Sequence, residues 1–402
     1  MTQNILPLLF GGDINVYSVA RAFHEAYGLR SVCFGKYPSG PAYESAIIDY
    51  RVCADNEKAE AFLQNVKAVS QEFSRHTIIL VACGDSYVKL AAENQEHFPP
   101  NVIAPYVSGE MIANLIHKQR FYELCEEHGL DYPDTFIYRR DMGHDFDLPF
   151  EPPYICKPAN GVAYWEHPFP GNEKVFRCRD KKHLLEVLDK VYASGYPDTM
   201  IIQDFIPGDD TYMRVLTNYS DQKGKVALMC LGHVLLEEHT PHGIGNHAVI
   251  LTEENSELCE KIRGFLEKIG FRGFSNFDIK FDQRDGKYKV FEINCRQGRS
   301  NYYVTGAGYN IARYLVEDLV EGRSLPLTMA DRPSLWRVVP RKVAFDYINP
   351  AYHERMKEQM RKGRETNPLF YNHDKGLKRQ LRLYKNQLGH IAKYRKYDEK
   401  KR

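Results

Sequence analysis

Three side chains that carry oxygen ligands, Asp278, Glu292 and Asn294, lie on two neighbouring segments in which apolar and polar residues alternate. This alternation predicts two β-strands joined as a hairpin. If residues 284–286 form a three-residue loop that ends in glycine, Asp278 faces Glu292 across the hairpin and all three groups share one face. Two carboxylates and an amide suit a Mg²⁺ ion that bridges the phosphates of a substrate.

The length of the hairpin loop decides whether this site exists. A three-residue loop pairs Gln283 with Lys287, whereas a two-residue loop would place Asp278 and Glu292 on opposite faces and remove the site. An ordinary amphipathic hairpin with a polar outer face is therefore the alternative interpretation.

Two arginines follow the second strand directly, in a segment whose glycine indicates a loop. Arg296 and Arg299 would neutralise a phosphoryl group in transfer, or a developing oxyanion, beside the carboxylates. Alternatively, they form salt bridges to those same carboxylates.

Two further segments place polar groups at strand ends. Lys157 ends a short apolar strand and precedes a turn, and burial among apolar neighbours is costly for a lysine unless an anion meets it. Residues 203–210, with the sequence QDFIPGDD, follow a strand and then turn, so they offer backbone groups at Ile206 and carboxylates just beyond. Each of these signals is weak by itself.

The first third of the chain has a pattern of its own, which indicates a ligand-binding sheet. Residues 5–117 alternate short apolar runs with amphipathic stretches, which is the pattern of a parallel sheet with crossover helices. A strand over Ile5–Phe10 runs into Gly-Gly-Asp and then a helix over Asn15–Tyr27, whose start favours an anion. A later strand ends at Gly84-Asp85, and ligands of open α/β sheets bind at such ends. The spacing is not the G-x-G-x-x-G of dinucleotide-binding proteins.

Composition excludes several classes of protein. The 402 residues are 43% hydrophobic and 27% charged, as in globular proteins. No apolar run approaches the roughly 20 residues of a transmembrane helix, and the first apolar stretch is too short for a signal peptide, so we expect a cytoplasmic protein. The nine cysteines include no Cys-x-x-Cys pair, which argues against a zinc ribbon and a disulfide framework.

Charge is unevenly distributed along the chain. Residues 341–402 hold 18 Lys/Arg against 7 Asp/Glu, a net charge of +11, whereas the first 340 residues carry −10. A basic tail is typical of contact with nucleic acid, an anionic membrane surface or a polyphosphate substrate. A solvated helical face is the alternative.

The order and spacing of these motifs resemble those of ATP-grasp carboxylate-amine ligases. The resemblance rests on Lys118, Lys157-Pro158, QDFIPG at residues 203–208, Asp278 and EINCR at residues 292–296. More closely, GGDINVYSVARAFHEAYG, VACGDSY, QDFIPGDD, MRVL, CLGHVLLE and FEINCRQGRS resemble the D-aspartate ligase family over roughly residues 5–320.

This resemblance implies the fold and the domains. The fold class is α/β (α+β), an ATP-grasp fold with a Rossmann-like preATP-grasp domain at its amino terminus. That domain would span residues 1–117, and an ATP-grasp domain with two subdomains that clamp ATP would span residues 118–325. Residues 326–402 would form a basic carboxyl-terminal extension.

The resemblance also assigns roles to residues. ATP would be bound by Lys118, Lys157, Gln203, Asp204, Phe205 and Ile206, with Asp209 or Asp210 at the ribose. Mg²⁺ would be held by Asp278, Glu292 and Asn294. Catalysis would fall to Arg296, assisted on the phosphoryl side by Arg214 and Lys157. The substrate cleft would be bordered by Gly11, Gly12, Asp13, Asn15, Gly84, Asp85 and Arg299. His233 and His242 are further candidates for contact with the phosphates or the acceptor, against a structural role.

The implied reaction activates the β-carboxylate of D-aspartate as an acyl phosphate, with ATP and Mg²⁺, and joins it to the ε-amine of lysine in a UDP-linked muramyl pentapeptide. The basic tail would then meet the acceptor's diphosphate or an anionic membrane surface, and no nucleic acid is expected. One alternative is a ligase for another amino acid or amine acceptor. The other is a noncatalytic nucleotide- or nucleic-acid-binding protein, which would not need the full set of metal and arginine groups.

One segment departs from the family. A glycine-rich loop often covers the phosphates after the lysine that corresponds to Lys157, whereas residues 160–165 here contain a single glycine. The sequence therefore leaves open how this chain covers the phosphates.

Overall fold

The computed structural model describes residues 4–240, 243 and 245–397, and three β-sheets organise them. The first sheet and its helices comprise β1 (Ile5–Phe10), α1 (Ile14–Tyr27), β2 (Ser31–Gly35), β3 (Ile48–Val52), α2 (Ala59–Glu72), β4 (Thr77–Ala82), α3 (Asp85–Glu93), β5 (Val102–Ile103) and α4 (Gly109–Ile116). All five strands are parallel, in the order β3-β2-β1-β4-β5. The Rossmann-like arrangement expected for this part of the chain is present.

The turn between β1 and α1 shows why the sequence folds locally as it does. Gly11 has a φ of +133°, and a Cβ added there would lie 2.7 Å from Cγ2 of Val16, so a side chain does not fit. The Asp13 carboxylate then accepts hydrogen bonds from the backbone N–H groups of Asn15 and Val16 and caps α1. Gly28 ends the helix in the left-handed region.

The second sheet is small and antiparallel. It belongs to a segment that comprises α5 (Lys118–His128), β6 (Thr135–Tyr138), β7 (Tyr154–Pro158), α6 (Gly161–Trp165), β8 (Phe176–Cys178), α7 (Lys181–Ala193) and β9 (Met200–Asp204). The strand order is β6-β9-β7-β8. This sheet packs on α7 around a hydrophobic core of its own, separate from the cores that join the other two sheets.

The third sheet has eight strands. Its segment comprises β10 (Met213–Ser220), β11 (Val226–Glu237), β12 (His247–Glu253), α8 (Ser256–Lys268), β13 (Gly273–Asp282), β14 (Lys287–Asn294), α9 (Tyr302–Gly306), α10 (Ile311–Leu319), β15 (Thr328–Met329), β16 (Leu335–Arg337), α11 (Arg341–Tyr347), α12 (His353–Arg361), β17 (Glu365–Thr366) and α13 (Leu377–Lys396). The strand order is β14-β13-β10-β11-β12-β16-β17, and β15 pairs with β11. Short strands beyond residue 325 thus extend this sheet.

The carboxyl-terminal segment also packs against α1 and the loop before β3. Asp374 is fully buried and accepts hydrogen bonds from the Tyr17 hydroxyl (2.9 Å), the Ser45 hydroxyl (2.8 Å) and a backbone N–H. The buried guanidinium of Arg379 pairs with Asp374 at 3.1 Å and stacks over the Tyr17 ring. An ion pair near the end of the chain is therefore built into the outer face of α1.

Within the described part of the chain, no helix combines the length and the apolar character that crossing a membrane would require.

Candidate active site

The β13–β14 hairpin brings the three predicted metal-binding side chains together. Asp278 lies opposite Glu292, as the sequence predicts, but the loop is longer than expected: Asp282, not Gln283, pairs with Lys287. A β-bulge at Phe291 then shifts the register by one residue and restores the predicted pairing. The three-residue loop was thus wrong, and the cross-strand pair forms because of the bulge.

Glu292 is held between two lysines. Its Oε2 lies 3.6 Å from Nζ of Lys118, and its Oε1 lies 3.5 Å from Nζ of Lys174. Next to it, Nδ2 of Asn294 is 3.5 Å from Oδ2 of Asp278. The Lys174 ammonium holds the pKa of Glu292 well below its usual range, whereas burial and the charge of Glu292 raise the pKa of Asp278. Glu292 therefore carries the negative charge of the pair more readily than Asp278 does.

A cleft between the small sheet and the large sheet opens onto this pair. It has a volume of about 950 Å³. Its apolar lining comes from Ile155, Val175, Phe205, Ile206, Met213 and Phe291. Its polar lining includes Lys118, Lys157, Lys174, Gln203, Asp204, Glu237, Lys280, Asp278 and Glu292. We call this cleft the nucleotide compartment, because apolar side chains beside several lysines suit a purine followed by phosphates.

Lys157 is buried at the end of β7, as the strand pattern predicts. Its Nζ donates a hydrogen bond to the Tyr122 hydroxyl at 2.8 Å and lies 5.5 Å from the centre of the Phe291 ring. Burial, and the neighbouring charge of Lys118, lower the pKa of Lys157 to about 7. An anion in the compartment would offset this desolvation cost.

The strand end after β9 forms the link between the two sheets. Gln203 is buried and donates to the Thr135 hydroxyl at 2.8 Å, and Asp204 pairs with Arg284 of the hairpin at 2.5 Å. Ile206 is buried in the chain that follows. Gly208 has a φ of +115° and leaves no room for a Cβ beside the Tyr212 ring.

A second cleft adjoins the first and shares Lys118, Lys174 and Glu292 with it. Its volume is about 940 Å³. We call it the substrate compartment. Its remaining lining includes Asp85, Ile116, Pro158, Asn160, Gly161, Val162, Tyr164, Trp165, Ile293, Asn294 and Arg296.

Arg296 joins the large sheet to the edge of the first sheet. Its guanidinium makes two hydrogen bonds to Asp85, at 2.7 and 3.1 Å, and donates a third to Oδ1 of Asn294 at 3.1 Å. Within the described residues, the carboxylate that Arg296 pairs with is therefore Asp85 and neither member of the Asp278–Glu292 pair. The arginine remains at the compartment wall, where an anionic substrate can reach it.

The loop after β14 is fixed to the same sheet edge. Nδ2 of Asn15 donates to the carbonyl of Gln297 at 3.2 Å, and Nε2 of Gln297 donates to the carbonyl of Ala82 at 3.3 Å. Arg299 pairs with Glu238 at 3.1 Å. Gly84 caps the start of α3, and Gly11, Gly12, Asp13 and Asn15 lie at the neighbouring strand end, outside the lining of the two compartments.

Several assigned residues lie elsewhere. Arg214 points to the opposite face of the large sheet from Met213, where it pairs with Glu253 and donates to the carbonyl of Thr211. The expected phosphoryl role of Arg214 does not fit this position. His233 belongs to the same buried group, with Nε2 at 2.7 Å from the Thr211 carbonyl, and His242 lies outside the described residues.

The two acidic residues expected at the ribose hold the chain turn after Gly208. Oδ1 of Asp209 accepts from the backbone N–H and the hydroxyl of Thr211, and Oδ2 of Asp210 accepts from the backbone N–H of Glu237. The side chains of Glu237 and Lys280 line the compartment instead. Burial, together with the charge of Asp210, raises the pKa of Glu237 to about 8.

Sequence reasoning missed Lys174, which lines both compartments. It lies between α6 and β8 in irregular chain, without a strand or helix pattern to mark it. The same part of the chain shows what replaces the glycine-rich loop. Helix α6 follows β7 directly, and the Asn160 side chain caps its start. Its last residue, Trp165, lines the substrate compartment. A lysine-bearing segment and a short helix stand where the family often has a glycine-rich loop.

The hairpin residues provide too few ligands for Mg²⁺ by themselves, so they fit this ion only if the phosphates of a nucleotide supply further ligands. Among the described residues, no group of three or more His, Cys, Asp or Glu side chains is arranged to hold a metal ion alone. Two carboxylates and an amide beside three lysines leave coordination positions for phosphate oxygens and water, which is the usual environment of Mg²⁺.

Comparisons with known proteins support this interpretation. The chain is 39% identical over 408 aligned residues to a D-aspartate ligase of Enterococcus faecium (strain Aus0004), and the match covers 98% of this chain and 97% of that one. No protein-family model matches the chain.

Solved structures show the fold. An L-amino acid ligase from Bacillus licheniformis matches with a TM-score of 0.54 and 18% identity, over 78% of this chain and 74% of that one. N5-carboxyaminoimidazole synthetase from Staphylococcus aureus, complexed with ADP, matches with a TM-score of 0.60 and 15% identity, over 82% and 81%. Both matches support an ATP-grasp fold for this chain.

Proposed function

The chain belongs to the D-aspartate ligase family of ATP-dependent carboxylate-amine ligases, and from this premise we propose that it joins D-aspartate to the ε-amine of lysine in a UDP-linked muramyl pentapeptide. The observation that carries the proposal is the junction of the two compartments at Lys118, Lys174 and Glu292. A phosphoryl group passed from ATP to a carboxylate must cross such a junction.

The nucleotide compartment would bind ATP through its apolar slot and its lysines. Lys118, Lys157 and Lys174 would contact the phosphates, and Gln203 to Ile206 would contact the adenine. Mg²⁺, when bound by Asp278, Glu292 and Asn294, would offset negative charge on the phosphates. Lys157, whose pKa is lowered, would gain a proton when the phosphates bind beside it. Glu292, whose pKa lies below its usual range, would stay ionised and bind the metal.

The substrate compartment would bind the donor. Arg296 would orient a carboxylate of D-aspartate, and Asp85 would hold the guanidinium in place when the donor is absent. The donor's β-carboxylate oxygen attacks the γ-phosphorus, and ADP leaves. The lysine amine, in its neutral form, then attacks the acyl carbon, the C–O bond to phosphate breaks, and the amide forms as phosphate leaves and the amine loses a proton to the leaving phosphate or water.

The experiment is a measurement of phosphate release with ATP and Mg²⁺ against a panel of D- and L-amino acids, with and without the pentapeptide. We expect turnover only with D-aspartate plus the pentapeptide, and a product whose mass and NMR spectrum place the new amide at the β-carboxylate. Turnover with another amino acid would overturn the donor. Turnover with a different amine would overturn the acceptor, while the ligase mechanism would stand.

The proposed reaction also bears on the cellular location of the enzyme and on its domains. We infer a cytoplasmic enzyme, because its acceptor carries a nucleotide, and we propose domains at residues 1–117 and 118–325, followed by an extension at residues 326–402.

The basic tail can be tested separately. If the tail binds the acceptor's diphosphate, replacing Lys393, Arg395 and Lys396 by Gln should raise the acceptor KM, and an unchanged KM would contradict the idea. Lys400 and Lys401, further candidates for this contact, lie outside the described residues.

A further inference from the structure

The last helix, α13, exposes a row of large apolar side chains. Leu377, Leu381, Tyr384 and Leu388 are 77%, 64%, 59% and 68% exposed. They follow one another at intervals of four, three and four residues, so they lie on one face of the helix. We call this row the apolar stripe. Four such residues in one contiguous row differ from singly scattered surface leucines and mark an interaction surface.

The charge of α13 is of one sign. Residues 377–396 contain seven Lys/Arg and no Asp or Glu. Lys378 and Lys385 are seven residues apart, so they lie in a second row beside the apolar stripe. Apolar and basic rows side by side are the pattern of a helix that lies on an anionic surface.

The opposite face of α13 is fixed to the protein. Arg379, Leu383, Gln387 and Tyr394 are buried. Nε2 of Gln387 donates to the carbonyl of Val338, and the Tyr394 hydroxyl donates to the carbonyl of Glu237, both at 2.6 Å. The stripe therefore cannot turn inwards without breaking these contacts, and it is displayed on a rigid element.

We propose that α13 docks the enzyme peripherally on the surface of a bilayer that contains anionic lipids. The leucines of the stripe insert at the level of the headgroups, and the lysine row contacts the lipid phosphates. A second copy of the chain fits less well, because two helices that carry only positive charge would repel each other along the seam. Nucleic acid would engage the lysines but leave the stripe in water. This inference goes beyond the proposed ligase reaction and does not depend on it.

The test is flotation of the full-length protein with lipid vesicles. We expect the protein to float with vesicles that contain phosphatidylglycerol and not with vesicles of phosphatidylcholine alone. The variant Leu381→Glu/Leu388→Glu should lose binding by about tenfold or more, because each exposed leucine contributes apolar area at the interface. The variant Lys378→Gln/Lys385→Gln should bind more weakly, with a smaller dependence on salt.

Matched controls separate docking from folding and from other surfaces. Leu327→Glu changes an exposed leucine away from α13 and should leave flotation unchanged. The stripe variant should keep the thermal melting point and the ATP turnover of the parent, because its altered side chains touch neither compartment. Three results would overturn the proposal: no flotation with anionic vesicles, flotation that the stripe variant retains, or a dimer in solution that the stripe variant dissociates.

Discussion

The nucleotide compartment and the substrate compartment share a wall but differ in chemistry. The first is lined by apolar side chains such as Ile155, Met213 and Phe291 together with several lysines. The second also has apolar side chains, such as Val162 and Trp165, but polar groups that include Asp85 and Arg296 form a larger share of its lining. Burial of apolar surface can therefore contribute more to binding in the first, and charge and hydrogen bonds more in the second.

This difference indicates where substrate specificity lies. Apolar contacts discriminate modestly between ligands of similar shape, whereas polar groups in a site penalise a ligand that leaves them unpaired. A change in the shared wall should therefore damage both functions, and a change in one lining should damage only one.

Removing the shared carboxylate should have the largest effect. Glu292→Gln keeps the shape of the side chain but removes the charge between Lys118 and Lys174. We expect phosphate release to fall by about 10³-fold, because the charge that organises metal and lysines is lost. Phosphate release and nucleotide binding would be measured together. Glu260→Gln, on the surface of α8, is the control, and near-parental turnover of Glu292→Gln would refute a catalytic role for the shared wall.

Arg296→Gln should affect the substrate compartment alone. It removes the guanidinium that Asp85 and Asn294 position, so kcat should fall by about 10²-fold with ATP KM within twofold of the parent. Steady-state kinetics with ATP and donor varied separately would measure this. Arg323→Gln, at an exposed ion pair, serves as the control. An equal rise in ATP KM would mean that the two compartments are not separate in function.

Ile155→Ala should affect the nucleotide compartment alone. The change removes apolar contact area from the slot, so ATP KM should rise about tenfold while donor KM is unchanged. Ile137→Ala, a half-buried residue of the same sheet outside both linings, should lower the melting temperature without moving ATP KM. If both variants raise ATP KM alike, the slot does not bind the base.

The smallest expected effect is the uptake of a proton by Lys157 when ATP binds. Lys157 has a pKa of about 7, so above pH 7 it is largely neutral, and ATP phosphates should restore its charge by raising that pKa. In the absence of Mg²⁺, whose binding would release a proton from Asp278, ATP binding should therefore take up close to one proton at pH 8 and almost none at pH 6. Calorimetry in two buffers of different ionisation enthalpy measures this uptake. Lys157→Arg cannot titrate in this range and should abolish the uptake, and uptake that persists in Lys157→Arg must come from another group.

Sequence alone predicted the strand-end residues of the site well. Ile5–Phe10 is a strand and the helix after it ends at Tyr27, as predicted, because periodicity and turn residues encode these elements locally. Lys157, Asp278, Glu292 and Arg296 line the two adjoining compartments. The hairpin shows the limit. Its loop length was wrong, and the bulge at Phe291 that corrected the register has no signature in the alternation pattern.

The rest of the site depends on tertiary contacts. Lys174 reaches Glu292 from irregular chain, so no period marks it. Arg214 shares a strand with Met213 of the compartment but lies on the other face, where it pairs with the half-buried Glu253, and the sequence does not mark which face of the strand borders the compartment. The apolar stripe of α13 was also missed, because only the net charge of the tail was considered and the sequence does not show which apolar residues of a helix are exposed.

The Asp374–Arg379 pair has a consequence for how the protein is made. Tyr17 emerges from the ribosome early, whereas the carboxylate that accepts its hydrogen bond follows 357 residues later and the guanidinium of Arg379 later still. The first sheet can form during translation, but Tyr17 lacks these two partners until residues 374–379 have left the ribosome. Nascent chains that have not yet exposed residue 374 should therefore be more sensitive to protease around α1 than chains that have exposed residues 374–379.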